Sequence, residues 1–351
     1  MIHIDGSYGE GGGQVLRTSL SLAAITSNPI SIHNIRAKRK KPGLAAQHLT
    51  AVRAAAAICN AKVRGDSLGS TMLEFIPGGT INTGNYTFDV SEAQEGGSAG
   101  AITLVLQTVL LPLSLASGDS QITLRGGTHV PFSPPTTYLE QVYLPLLKRM
   151  GIQMEMQLDA WGWYPQGGGR VRLWVNGGRK LSGINLEERG NLQQVRGLAV
   201  VTELPSHIPQ RMASRAENLL REAGLKAVVQ PLRNKGIASG AGLFLTAEYE
   251  NSLAGFSALG RVGLPAEKVA QIACEELLEF HQSGAVIDEH LADQLLLPAA
   301  LAANQSKYRV AKVSMHLTTN AWVIEKFGLA KITVDEVEKM VTVQPSLLLP
   351  S

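Results

Sequence analysis

His316 is followed by Leu317, Thr318, Thr319 and Asn320 where an apolar strand gives way to an amphipathic helix. Such a junction presents a side chain at the edge of a sheet, where open α/β folds bind ligands. Neutral imidazole at that place is a competent nucleophile towards phosphorus. A second constellation runs Asp288-Glu289-His290-Leu291-Ala292-Asp293-Gln294 at the start of another apolar helix. Acids at a helix start cap it; Asp293 and Gln294, one turn in, can in addition read a purine edge, a ribose or a metal-bound phosphate. Gln107 interrupts the apolar run Ile102–Leu115. A buried glutamine needs partners, and a ligand is a natural one. Arg17, Arg36, Arg39 and His48 lie over two helices and the basic loop between them, and converging guanidinium groups hold phosphate through forked donors. The turn Asp5-Gly6-Ser7-Tyr8-Gly9-Glu10-Gly11-Gly12-Gly13 leads into a helix through Gln14 and Arg17. Glycines let a ligand approach the main chain, helix-start N–H groups face an anion, and Glu10 could hold a divalent cation beside it. Each feature has an ordinary alternative: a structural histidine, a helix cap, a solvated charge run or a plain glycine turn. The second aromatic-to-glycine run, Trp161 to Val171, reads as a tight β-turn.

These residues need a body large enough to bring them together. The chain of 351 residues exceeds one typical core and suggests two domains, or one with an insert. With 44% hydrophobic and 17% charged residues it is an ordinary globular sequence. Aromatics make up 5%, which argues against a nucleic-acid surface built mainly of stacked rings. Any polynucleotide contact should rest on Arg and Lys, and Arg36, Lys38, Arg39, Lys40 and Lys41 concentrate five cations in a net charge of only +3. Cys59 and Cys274 offer neither a disulfide framework nor metal-ligand spacing. The run Leu104–Leu115 is short for a membrane span, so a cytoplasmic protein without membrane contact is expected.

The elements repeat. A helix over about Gln14–Ser27, a strand Ile30–Ile35, a helix over about Ala45–Cys59 and strands near 61–64 and 71–76 recur roughly 90 residues later. The second copy is helix 99–116, strand 121–125, helix 136–150 and strands 153–158 and 170–175. A shorter third copy has helix 291–303, strand 307–314, helix 317–327 and strand 331–334. Self-similarity of this kind means one α/β unit reused around a common core. Between copies two and three lies a segment of different order. The expected division is a repeat-built catalytic domain of 1–186 and 283–351, with a small α/β domain inserted over 187–282.

Six stretches together resemble the RNA 3′-terminal phosphate cyclase family: DGSYGEGGGQVLR (5–17), IRAKRKKPGLAAQHLTAV (35–52), SAGAITLVLQTVL (98–110), GWYPQGGGRV (162–171), HLADQLLLPAAL (290–301) and HLTTNAWVIEKF (316–327). The resemblance implies an α/β fold of repeated helix–strand–helix–strand units as in enolpyruvyl transferases, with a small inserted domain. It implies ATP-dependent conversion of an RNA 3′-phosphate into a 2′,3′-cyclic phosphodiester through a covalent histidine–AMP intermediate, releasing pyrophosphate and AMP. His316 then takes the nucleophile's place. Gln107 and His290, Leu291, Ala292, Asp293 and Gln294 match positions that hold ATP. Glu10 matches a carboxylate associated with Mg²⁺ or Mn²⁺, and Arg17, Arg36, Arg39 and His48 match positions that handle the phosphate of the RNA. A homodimer is compatible with the resemblance. Three departures bear on nucleotide preference: Trp161 in place of a basic residue, His290 in place of an aromatic, and a longer, more acidic stretch from Ser91 to Gly97. The competing readings are a catalytically silent relative acting as a scaffold in ribosome assembly, which should lack the nucleophile, and an enolpyruvyl transferase sharing the repeat.

Overall fold

A computed structural model describes residues 1–93 and 98–346. The end of the acidic stretch, residues 94–97, and the tail from 347 to 351 lie outside the described residues.

The first unit is β1 (Ile2–Asp5), α1 (Gly13–Thr26), β2 (Ile30–His33), α2 (Ala46–Cys59), β3 (Lys62–Arg64) and β4 (Leu73–Ile76). β1 and β2 run parallel, with Ile4 opposite Ile32; β4 is antiparallel to both β2 and β3, giving the order β1-β2-β4-β3. The second unit is β5 (Asn85–Asp89), α3 (Ile102–Leu115), β6 (Ser120–Gly126), α4 (Thr136–Tyr138), α5 (Leu144–Arg149), β7 (Gln153–Ala160) and β8 (Gly169–Asn176). A π turn over Leu139–Tyr143 joins α4 to α5. Its sheet order, β5-β6-β8-β7 with only the first pair parallel, repeats that of the first unit.

The third unit opens with β9 (Asn185–Leu186), and the chain then leaves it. β10 (Leu192–Thr202), α6 (His207–Glu222), β11 (Ala227–Asn234), β12 (Gly240–Tyr249), β13 (Leu253–Leu259) and α7 (Ala266–Ser283) follow, in the different strand order β11-β10-β12-β13. The third unit resumes with α8 (Glu289–Gln294), α9 (Leu296–Ala300), β14 (Ser306–Arg309), α10 (Met315–Lys326), β15 (Ala330–Asp335) and β16 (Met340–Pro345). β9 pairs parallel with β14, β14 antiparallel with β16, and β16 antiparallel with β15. The same sheet is thus built three times.

Strand alternation faces each sheet inward: Val171, Leu173 and Val175 of β8 are buried while the residues between them are not. Inside, α1 packs against α2, α3 and α10, and α3 against α2. The run that reads as apolar all round, α3, is buried along nearly its whole length, as a central helix must be. The β10–β13 sheet has its own core, in which Ala199 and Leu243 meet Met212 of α6 and Leu277 of α7. Its opposite face, through Val200 and Phe244, packs on Trp163.

Three expectations change. Leading strands β5 and β9 and the final strand β16 join the repeats, none of which the sequence pattern marks. The helix expected over 291–303 is two short ones, because Pro298 has no N–H to offer the carbonyl of Gln294 and the chain restarts at Leu295. The strand before His316 ends at Arg309, which places His316 in the first turn of α10 instead of on a strand end. Among the described residues no helix is long and apolar enough to cross a membrane.

Candidate active site

The glycine turn closes over the start of α10. Tyr8 stacks on Trp322 with ring centroids 4.0 Å apart, and the Glu10 N–H donates to Thr319 Oγ1 at 3.1 Å. Lys38 donates to the carbonyl of Gly9 at 2.6 Å, so the basic loop lies over the same turn. Two glycines are needed for close approach. A Cβ on Gly12 would meet Glu10 Oε2, and one on Gly13 would meet His48 Nε2.

His316 is the second residue of α10, whose N-cap Ser314 accepts from the Leu317 N–H at 3.2 Å. Its Nε2 lies 3.9 Å from Glu10 Oε1, and its Nδ1 lies 2.8 Å from Gln14 Oε1. Burial, followed by the charges of Arg17, Arg39 and His290, lowers its pKa, which favours the neutral ring over the imidazolium. Gln14 belongs to the first turn of α1 and is itself buried. Its Nε2 donates to Asp293 Oδ2 at 2.5 Å. Asn320 ties the same corner together, donating from Nδ2 to the Asp293 carbonyl at 2.8 Å and accepting from Thr18 Oγ1 at 2.7 Å. Burial pushes the Asp293 carboxyl up to about 7, against the lowering influence of His290, Arg17 and Gln14.

The cationic side comes from the first unit. His48 is 5% exposed, and its pKa is held well below the usual histidine value by burial and then by Arg17, Arg36 and Arg39. Burial pushes Arg17 down to about 10, which leaves it charged, and Asp293 opposes the shift. Arg39 pairs with Glu10 Oε1. Glu10 Oε2 is buried without a hydrogen-bond partner. That orphaned oxygen suits a hard cation that takes its remaining ligands from phosphates and water. Among the described residues no group of three or more His, Cys, Asp or Glu is placed to hold an ion by itself.

The structure therefore brings together Glu10, Arg17, Arg39, His48, Asp293 and His316. The other expected residues lie differently. Arg36 turns into its own loop, donating to the carbonyls of Lys41 at 3.0 Å and Gly43 at 2.7 Å. Gln107 is half-buried and makes no side-chain hydrogen bond among the described residues. Leu291 and Ala292 are fully buried, and their N–H groups bond to Asp288, so α8 turns those two side chains into the core. His290 is exposed at the start of α8, and Gln294 donates back to its carbonyl at 3.0 Å. Gln14, the residue linking His316 to Asp293, has no role that the sequence reading assigned. Its position directly after the triglycine, at a helix start, was the available signal.

Asp288 anchors this arrangement. As N-cap of α8 it accepts from the N–H groups of His290 at 3.0 Å and Leu291 at 2.9 Å. It also accepts from Tyr138 Oη at 2.8 Å and from the Gly255 N–H at 3.2 Å. One carboxylate thus joins the second unit and β13 to the helix that carries Asp293.

The profile of the RNA 3′-terminal phosphate cyclase family matches residues 8–334. A protein of Nostoc punctiforme named RNA 3′-terminal phosphate cyclase is 72% identical, over 98% of this chain and 99% of its own length. Proteins of the same name from Methylococcus capsulatus and Archaeoglobus fulgidus are 57% and 43% identical, over 95% and 97% of this chain and 93% and 99% of their own. An enolpyruvyl transferase structure from Streptomyces tendae overlaps 98% of this chain and 81% of its own at 11% identity, but its TM-score of 0.25 is too low to bear on the fold. Sequence match along nearly the whole chain, with six of the motif residues gathered at one corner of a three-unit α/β body, makes this protein a member of the RNA 3′-terminal phosphate cyclase family.

Proposed function

We propose that the chain converts an RNA 3′-terminal phosphate into a 2′,3′-cyclic phosphodiester with consumption of ATP. The observation that carries this reading is the placement of His316, with Nε2 3.9 Å from Glu10 Oε1 and with Arg17, Arg39 and the buried His48 gathered around the same corner. His316 Nε2 attacks the α-phosphorus of ATP as the bond to pyrophosphate breaks. An oxygen of the RNA 3′-phosphate then attacks the same phosphorus, and the P–N bond breaks. The vicinal 2′-hydroxyl closes on the 3′-phosphorus, AMP departs as the anhydride bond breaks, and the hydroxyl proton goes to solvent. Mg²⁺ or Mn²⁺, held at Glu10, would neutralise charge on the phosphates. Arg17 and Arg39 screen the two phosphate groups from each other. Asp293, His290 and Gln107 are assigned to the nucleotide on the family resemblance.

Residues 187–282 are proposed as a domain inserted into the third unit. The pairing of β9 with β14 across that segment, and its separate core, support the division.

The test is incubation with α-labelled ATP and Mg²⁺ in the absence of RNA. Acid-labile, alkali-stable label on the denatured protein is expected, absent from His316→Ala and discharged by an RNA 3′-phosphate. A folded wild type that takes up no label with several metals would overturn the nucleotidyl-transfer reading and favour a silent RNA-binding scaffold.

A further inference from the structure

The contacts of Gln14 have a direction. A carboxylate only accepts hydrogen bonds, whereas a primary amide accepts at one end and donates at the other. Asp293 Oδ2 lies 2.5 Å from one end of the Gln14 amide and His316 Nδ1 lies 2.8 Å from the other. With the NH₂ end given to Asp293, the carbonyl end is left for His316, so Nδ1 must be the donor. A neutral imidazole carries one N–H, and its Nε2 is then a free lone pair. Gln14 is 6% exposed, so water has little access to replace either bond.

The far side of the ring does not oppose this. Glu10 Oε1 would favour a proton on Nε2, but at 3.9 Å it is beyond hydrogen-bond reach and Arg39 is already paired with it. The other charged groups near the ring are Arg17, His290 and Glu289. Asp293 in turn faces Arg17 of α1 and His290 of α8, with the hydroxyls of Tyr143 and Tyr308 also close. Asn320 fixes the Asp293 backbone, which keeps the carboxylate aimed at Gln14.

We propose that Asp293, acting through the Gln14 amide, holds His316 in the Nδ1–H tautomer and so presents the Nε2 lone pair for attack. Asp293 and Gln14 are positioning residues. The naming of Nε2 as the attacking atom rests on the function proposed above; the tautomer does not.

The experiment uses the full chain labelled with ¹⁵N, at pH 8, where Asp293 is ionised. Two-bond ¹H–¹⁵N correlations report the tautomer of each histidine, and His316→Asn assigns the signal. Expected for wild type is a protonated Nδ1 and an unprotonated Nε2. In Asp293→Asn the polarity of the amide chain is lost, and the His316 signal should shift towards the Nε2–H form. Labelling by α-labelled ATP in a single turnover should then slow by roughly a hundredfold or more. In the double variant Asp293→Asn with Gln14→Glu, the Asn amide donates to the Glu carboxylate and the carboxylate accepts from Nδ1–H. Both the tautomer and at least a tenth of the labelling rate should return, a rescue that a merely structural role would not produce. An Nε2–H wild type overturns the proposal even if Asp293→Asn fails to fold. So does an Asp293→Asn variant that keeps both the Nδ1–H tautomer and the wild-type labelling rate. The expected tautomer in a wild type that takes up no label would instead uphold the relay and overturn the cyclase reading.

Discussion

Asp288 is the place where loss of one side chain should be felt most widely. Replacing it by Ala removes the N-cap of α8, which accepts from two N–H groups, at a cost of about 1 kcal/mol. It also strands the hydroxyl of Tyr138 and the N–H of Gly255, both buried partners in the structure. Each orphaned group costs about 1–3 kcal/mol. Part of that is returned, because burial disfavours the Asp288 charge and the variant no longer carries it. The net expectation is a loss of about 2–4 kcal/mol. Asp288→Asn is the control: its carbonyl still accepts from the α8 N–H groups and Tyr138, and only Gly255 meets a donor, so about 1 kcal/mol should be lost. Urea-unfolding midpoints of the three proteins, read by circular dichroism and by tryptophan fluorescence, measure the series. The Ala variant should also label more slowly with ATP while still folded, because α8 carries Asp293. A loss below about 1 kcal/mol for Asp288→Ala, or an Asn variant as unstable as the Ala variant, would refute the four-bond account.

Two further outcomes follow from the same corner. Arg39→Ala should tighten Mn²⁺ binding by the ATP-free protein a few-fold, since Arg39 competes for the Glu10 carboxylate and a half-exposed pair is worth about 0.2–1 kcal/mol; titration followed by electron paramagnetic resonance measures it, and weaker binding in the variant would contradict the competition. For pH, the raised Asp293 pKa means that the folded state holds its proton more tightly than the unfolded chain. Its contribution to stability is then fully present below the ordinary value of 3.8 and is lost as pH rises to about 7. The stability of wild type relative to Asp293→Asn should fall across that window, by at most about 4 kcal/mol at about 1.36 kcal/mol per unit, and level off above it; a difference that grows with pH would reverse the sign.

The repeats were legible because amphipathic periodicity is local: α1, α2, α3 and α10 lie within a residue or two of their expected places, except that α3 starts at Ile102 instead of Ala99. Short edge strands carry no such pattern. β9 has two residues, and it becomes a strand only because Lys307 and Tyr308 of β14 pair with it from beyond the intervening domain-sized segment. Likewise β16 exists as the strand between β14 and β15, opposite Lys307 at Thr342. The site divides in the same way. His316, Glu10, Arg17, Arg39 and His48 are chemically conspicuous in the sequence, whereas Leu291 and Ala292 stood inside a motif whose helical phase turns them into the core.

What the sequence determined by itself was the inventory: a histidine at a strand-to-helix junction, a glycine turn with one carboxylate, and a basic loop, each set by residue type and near-neighbour spacing. What only the tertiary structure decided was the relation between them. Gln14 meets partners 279 and 302 residues away, at Asp293 and His316, and the direction of its amide follows from which atoms it faces. Hydrogen-bond polarity is a property of atoms in contact, and spacing along the chain does not encode it.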